Sequence, residues 1–406
     1  MKKVAVLGYG TVGSGVVEVI SANSFKKKAG EGLCVKAILD IRDFADSPFS
    51  NLFTKDFNVI LNDCEIDIVV ETIGGISPAF EFTKSALESK KSVVTSNKEL
   101  VAAKGAELIK TARENGVSYL FEASVGGGIP IIRPLNNCLA ANEIYEITGI
   151  LNGTTNYILT QMAKSGQSFK EALAAAQEKG YAEQDPSDDI EGVDTCRKIA
   201  ILSALSYGKQ LESDKIPTKG ITNITLKDIL LAKKAGYAIK LIGKSKKTKD
   251  GVYAFVSPLL LPEEHPLAGV EDVFNAIVVQ ASATGDVMFY GKGAGKMPTA
   301  SAVVADCIDI IKHNNSGGPT WEDGGVLTVV NPDDVKYFIH IQHHKNEDIK
   351  NLVDKLFKGA KWVEKNDDDI AFITDKANEK DILNGINELK KGLGDSAALT
   401  SIRVEG

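Results

Sequence analysis

The sequence has no apolar run of membrane-spanning length, and after its opening Met-Lys-Lys it goes straight into the four-residue run VAVL with no signal-peptide core. Both absences point to a cytoplasmic chain with no membrane partner. Cysteine is sparse: Cys34, Cys64, Cys138, Cys196 and Cys307 make an odd total with no CxxC pair, so they read as reduced thiols rather than a disulfide framework. A basic excess is missing as well. The net charge is −7, and apart from Lys26 to Lys28 the basic stretches have acids close by, so no nucleic-acid partner is expected. There is also no low-complexity tract and no internal repeat.

What is present has the balance of a globular chain: 43% hydrophobic and 25% charged residues over 406 positions, enough for two or three domains with their own cores. Short apolar runs, VAVLG (4 to 8), VKAIL (35 to 39), IDIVVE (66 to 71), SVVTS (92 to 96) and SYLFE (118 to 122), alternate with helical stretches, the pattern of βαβ units in a parallel sheet. From 130 to 299 the strand-like pieces lengthen and suggest an α+β domain. The apolar helix expected at 300–312 can dock back on the first domain. After a polar, glycine-rich linker at 313–332, residues 333–406 read as βαββαβ, a small ferredoxin-like unit. The expected architecture is therefore α/β: a Rossmann-type domain at 1–129 completed by helix 300–312, an α+β domain, and the small C-terminal unit.

Five segments carry chemistry. In GYGTVGSG the glycines Gly8, Gly10 and Gly13 stand between a strand and a helix, where a dinucleotide's pyrophosphate would meet free N–H groups; the alternative is a glycine turn without a ligand. At the end of the second strand, LDIRDF offers Asp40 for ribose hydroxyls and Arg42 for a 2′-phosphate, so NAD(H) and NADP(H) both stay open, with NADP slightly favoured. Lys98 in TSNKELVA falls just past a strand's C-terminal end, and FEASVGGGIP (121 to 130) could bind a cation or only turn sharply. YAEQDPSDDIEGVDTCRK (181 to 198) packs six carboxylates and two basic side chains into eighteen positions. A helix starting near Gly192 puts Asp194 and Lys198 on one face, as an exposed ion pair or, if buried beside a substrate, as an acid–base element. Calcium is disfavoured, because Ile190 follows Asp189 where an EF-hand needs glycine.

Together with ETIGG, LNGTTNYIL, HPLAGVEDVFNAIVV and GDVMFYGKGAGKMPTASAVVAD, these segments resemble homoserine dehydrogenase in its long form, from residue 4 to about 312. The resemblance implies reversible NAD(P)H-dependent reduction of L-aspartate 4-semialdehyde to L-homoserine, in threonine, methionine and isoleucine biosynthesis. It implies that Lys198 transfers the proton, that Lys98 is a second active-site lysine near the reacting oxygen and the cofactor, and that Glu183 and Asp194 hold the substrate's ammonium group. Thr11, Val12, Gly180 and Gly295 are implied as further cofactor contacts. A monovalent cation, usually sodium, is implied at Glu122 by side chain and at Val125, Gly127 and Ile129 by main-chain carbonyl. A homodimer or higher oligomer is also implied, with 130–299 as the catalytic and dimerisation domain and 333–406 as an ACT-like domain.

Asp185, Asp188 and Asp189 are expected to cap the helix, and His265, Cys138 and Cys196 to be structural. The ACT turn, an acid followed by Pro-Gly, is replaced by HHKNEDIKN, so a threonine effector rests on the family alone. No kinase domain is expected ahead of the glycine motif. Aspartate-semialdehyde dehydrogenase would need a nucleophilic cysteine, and saccharopine-type or diaminopimelate-type reductases do not match 181 to 198. A non-catalytic cofactor-sensing protein would bind nicotinamide without turnover.

Overall fold

A computed structural model describes residues 1–22, 30–313, 318–319, 321–332, 334–342, 348–366, 369–393 and 398–406. The Lys26–Lys28 run, part of the expected linker and most of the HHKNEDIKN turn lie outside the described residues. The chain forms two compact units, Met1–Ile147 with Arg197–Lys215 and Val279–Leu327, and Thr148–Cys196 with Ile216–Val278 and Thr328–Gly406.

The first unit is built on six parallel strands: β1 (Lys2–Leu7), β2 (Leu33–Leu39), β3 (Phe53–Thr54), β4 (Ile68–Glu71), β5 (Ser92–Thr95) and β6 (Tyr119–Leu120). Their order, β3-β2-β1-β4-β5-β6, is the doubly wound one, with its switch point between β1 and β4. The short apolar runs form strands rather than helices because both sheet faces are covered, so each run can be hydrophobic throughout. Val4, Val6, Ile68, Val70 and Val94 pack with Val16, Val17 and Ile20 of helix Thr11–Ala22 and with Val303, Val304 and Cys307 of helix Lys296–His313. The second helix docks as expected but starts four residues early, at Lys296. Gly15 lets the two helices approach: a Cβ there would lie 3.0 Å from the Ala300 Cβ. The unit also holds β8 (Lys209–Gln210), paired in parallel with β13 (Glu322–Val326), and β12 (Gly285–Lys292).

The second unit holds β9 (Tyr237–Lys247), β10 (Val252–Pro262), β14 (Lys336–Gln342), β15 (Lys361–Lys365), β16 (Asp369–Ile373) and β17 (Ala398–Val404), in the order β9-β10-β17-β14-β16-β15. The strands β14 to β17, with helices Asp348–Leu356 and Glu379–Leu393 between them, follow βαββαβ order, and their antiparallel neighbours are those of a ferredoxin-like sheet.

The units divide the chain along other lines than the expected domain boundaries, for two physical reasons. β17 pairs in parallel with β10 through Leu259 and Leu260, so the C-terminal sheet continues into the strands before it. His340, fully buried on β14, places Nδ1 2.6 Å from Asp228 and Nε2 3.2 Å from Asp369. Asp228 in turn caps helix Leu226–Lys234 in a capping box with Thr225.

β9 carries a lysine into this interior. Lys240 is buried and donates from Nζ to the Val270 carbonyl and to Asn156 Oδ1, and burial pulls its pKa from 10.5 down to about 8. The folded state therefore binds fewer protons there than the unfolded chain between those values, and the cost of burying the charge is relieved as pH rises through 8. Relative to Lys240→Met, the wild type should gain about 2 kcal/mol of stability between pH 7 and pH 9.5, read from denaturant midpoints. Parallel pH profiles would contradict this.

Candidate active site

The C-terminal ends of β1 and β4 lie side by side, with the Thr72 N–H donating to the Leu7 carbonyl at 2.8 Å. There the chain turns at Gly8, whose φ of +92° favours glycine. A Cβ on Gly13 would sit 1.9 Å from the Gly8 carbonyl oxygen, so helix Thr11–Ala22 can start against the strand only with glycine at that position. A Cβ on Gly10 would meet nothing within 4 Å, which leaves space on the phosphate side of the turn. Thr11 and Val12 open the helix there, with N–H groups that have no intrahelical partner.

Asp40 and Arg42 act together. The Asp40 carboxylate accepts from the N–H of Tyr9 at 2.7 Å, from the N–H of Arg42, and from Arg42 Nε and Nη2 at 3.0 and 2.9 Å. The Arg42 guanidinium, then burial acting in the opposite sense, leaves its pKa well below the usual carboxylate range. Arg42 stays largely exposed, with its guanidinium 5.1 Å from the Phe44 ring centre. These residues line a cavity of about 340 Å³ with Ser50, Phe53 and Lys55.

Lys98 is the first residue of helix Lys98–Glu114, whose N-cap Asn97 accepts from the Leu100 N–H at 3.1 Å. Beside that helix runs the later part of helix Val193–Tyr207: Arg197 Nη2 is 3.6 Å from Glu99, and Gln210 Nε2 donates to the Ala102 carbonyl. The residues next in sequence to Lys98 and Lys198 thus pair, which brings the two expected lysines onto neighbouring helices, and Lys198 is buried.

In the second unit the 181–198 segment divides its acids. Asp194 is 2% exposed, and its Oδ2 accepts from Asn152 Nδ2 at 3.0 Å. The same amide donates to Asp189 at 2.6 Å, while Asn152 Oδ1 caps helix Gly153–Ser165 through the Thr155 N–H. Asp185 accepts from the N–H and hydroxyl of Ser187 two residues on, a turn contact rather than the expected helix cap, since Pro186 is the N-cap position of the helix that follows. Asp188 and Asp189 lie in the first turn of a separate short helix, Ser187–Ile190, ahead of the expected one. The Glu183 side chain is exposed, and Gly180 turns with φ +71°. His265 accepts the Leu267 N–H at its Nδ1, a turn contact in keeping with a structural role.

The expected cation loop differs from expectation at Glu122. Its carboxylate is buried and already accepts from the N–H groups of Ile131, Ile132 and Arg133 at 2.7 to 2.8 Å and from Arg133 Nε at 3.2 Å. A side chain so fully supplied with donors does not fit a cation ligand. Arg133 also approaches Asp306, whose carboxyl burial pushes up to about 8. Val125 and Ile129 are buried, Gly127 has φ +57°, and Gly295 has φ +117°. Among the described residues no three His, Cys, Asp or Glu side chains are grouped to hold a metal, and no helix is long and apolar enough to cross a membrane. Sequence reasoning missed Asn152, Asn97 and Arg133; LNGTTN and TSNKELVA carried the same signal for the two asparagines, each standing directly before a helix.

A doubly wound sheet with a glycine turn at its switch point is the frame of a dinucleotide-binding protein. Residues 8–122 match the family model for the NAD-binding domain of homoserine dehydrogenase, and residues 130–308 match the one for homoserine dehydrogenase itself. A homoserine dehydrogenase of Bacillus subtilis is 38% identical over 418 residues, spanning 96% of this chain and 95% of its own. The crystal structure of a homoserine dehydrogenase from Thiobacillus denitrificans covers all of this chain and 98% of its own, with a TM-score of 0.91 and 35% identity. A hyperthermophilic archaeal homoserine dehydrogenase in complex with NADPH covers 76% of this chain and 97% of its own, with a TM-score of 0.66 and 30% identity. The chain belongs to the homoserine dehydrogenase family, and its activity is that of an oxidoreductase.

Gly13→Ala forces its new methyl group against the Gly8 carbonyl and should weaken binding of the reduced cofactor by about tenfold or more, as the pyrophosphate turn opens. Fluorescence titration of the reduced nicotinamide measures this; an unchanged dissociation constant would contradict it.

Proposed function

We propose that this enzyme interconverts L-aspartate 4-semialdehyde and L-homoserine with NADP(H), using Lys198 and Lys98 at the reacting oxygen. One observation carries the reading: helix Val193–Tyr207 buries a carboxylate and, four residues on, an ammonium group, Asp194 and Lys198. Exposed ion pairs are common on helices, but burying both groups is costly unless they do chemistry or complete a network. The bound nicotinamide supplies the hydride. As the carbonyl oxygen gains negative charge, the Lys198 ammonium stabilises it and then delivers the proton, so that aldehyde, hydride and proton sum to the alcohol. Lys98 adds positive charge at the same oxygen. Asp194, oriented by Asn152, and Glu183 receive the substrate's ammonium group.

The Asp40–Arg42 geometry supports NADP(H). Ribose hydroxyls would need free oxygens on Asp40, yet its carboxylate already has four donors, whereas Arg42 lies exposed beside Lys55 in the adjoining cavity. For the cation, the main-chain carbonyls of Val125, Gly127 and Ile129 remain the proposed ligands, without the Glu122 side chain, and no step of the chemistry runs through it. The proposed domain roles are cofactor binding by 1–129 with helix 300–312, catalysis and dimerisation by 130–299, and an ACT-like fold for 333–406. Exposed Met288 and Tyr290, alternating along β12, support a homodimer.

Homoserine oxidation, followed by nicotinamide absorbance with NADP and NAD offered separately, tests the reaction. Lys198→Ala should lower kcat by about a hundredfold or more; activity retained in the variant would remove the proton-transfer role, and cofactor binding without turnover in the wild type would favour a sensor. Arg42→Ala should lower kcat/KM for NADP by about tenfold or more and leave NAD little changed. Equal losses with both cofactors would contradict the NADP reading.

A further inference from the structure

The Glu71 carboxylate is fully buried at the C-terminal end of β4, and none of the chemistry above uses it. Its Oε1 accepts from the N–H groups of Ile73 at 2.7 Å and Gly74 at 3.4 Å, while its Oε2 accepts from the Thr95 hydroxyl at 2.6 Å. These contacts bind two loops. On one side, Gly74 and Gly75 take positive φ and form the turn after β4, and the Thr72 hydroxyl donates to the Leu7 and Gly8 carbonyls, so this turn is stitched to the glycine turn for the cofactor. On the other side, Thr95 Oγ1 accepts the Asn97 N–H at 2.9 Å, and Asn97 both caps the Lys98 helix and donates from Nδ2 to the Gly75 carbonyl at 2.7 Å. One carboxylate thus closes a ring running from the cofactor turn to the residue before Lys98.

Burial is the first influence on Glu71 and raises its pKa, with the neutral donors around it working the other way. A glutamine of the same size would avoid the cost of burying a charge, but only a carboxylate offers an acceptor oxygen to each of the two loops. We propose that Glu71 is a positioning residue for hydride transfer: it fixes the start of the Lys98 helix relative to the nicotinamide-binding turn. The inference rests on the reading of Lys98 as an active-site lysine.

In Glu71→Gln the amide oxygen keeps the Ile73 and Gly74 N–H groups, and the amide nitrogen, a donor only, replaces the oxygen that accepts the Thr95 hydroxyl. A displacement of Lys98 of order 1 Å is expected to lower kcat by about tenfold or more, with KM for cofactor and homoserine changed less than about threefold. The decisive measurement is a double-mutant cycle with Lys98→Met under single-turnover conditions. If Glu71 acts through Lys98, Glu71→Gln adds little further loss in the Lys98→Met background. A full multiplicative loss there, or wild-type kcat in Glu71→Gln beside an impaired Lys98→Met, overturns the inference. Undiminished kcat in Lys98→Met sinks the Lys98 reading itself, and the Glu71 proposal with it. Thr95→Val, which removes the same hydroxyl, is read in the same cycle and serves if Glu71→Gln does not fold.

Discussion

A carboxylate taken out of water must be met by donors, and in this protein the donors come from irregular segments at strand and helix ends. Asp40 draws in the Tyr9 N–H of the glycine turn, Glu71 the N–H groups of Ile73 and Gly74, and Glu122 those of Ile131, Ile132 and Arg133. Asp194 holds the Asn152 amide at the start of a helix. In each case the acid stands at or near the end of a regular element, so a rigid strand or helix fixes the shape of an irregular segment. Remove the acid and the backbone groups of that loop lose their partner as well as a charge.

The same principle accounts for the crowded acidic segment at 181–198. Its carboxylates do not form one patch. Asp185 caps its own turn, Asp189 shares Asn152 with Asp194, and only Asp194 is deeply buried. The Glu183 side chain is exposed, and its main-chain carbonyl accepts from Gln177 Nε2. High local charge here reflects several separate tasks placed close together in the chain.

Much of the first unit was legible because parallel strands buried on both faces appear as plain apolar runs, and because glycines at the spacing of Gly8, Gly10 and Gly13 match the needs of a tight turn between strand and helix. The two-residue strand Phe53–Thr54 is too short to leave a pattern. β9 escaped for a different reason: Lys240 and Lys244 are buried, so an eleven-residue strand buried from 239 to 245 carries the composition of a surface segment. The pairing of β17 with β10 joins Arg403 and Val404 to Leu259 and Leu260, far back in the chain, and leaves no local trace. At the candidate site, residue types announced the lysines and acids. Their supports did not announce themselves, since an asparagine or threonine that orients a catalytic group looks like any other polar residue until its partners are known. For Glu122 the family expectation was a cation ligand, whereas its carboxylate takes the N–H groups of Ile131, Ile132 and Arg133.

The central claim is that two lysines from neighbouring helices of the first unit meet the oxygen that changes between aldehyde and alcohol. A crystal structure with NADP and L-homoserine bound tests it most directly. The substrate's terminal hydroxyl is expected within about 3.2 Å of the Lys198 Nζ, with the Lys98 ammonium close to the same oxygen. A hydroxyl held instead by other side chains, with both lysines turned away from it, would contradict the account.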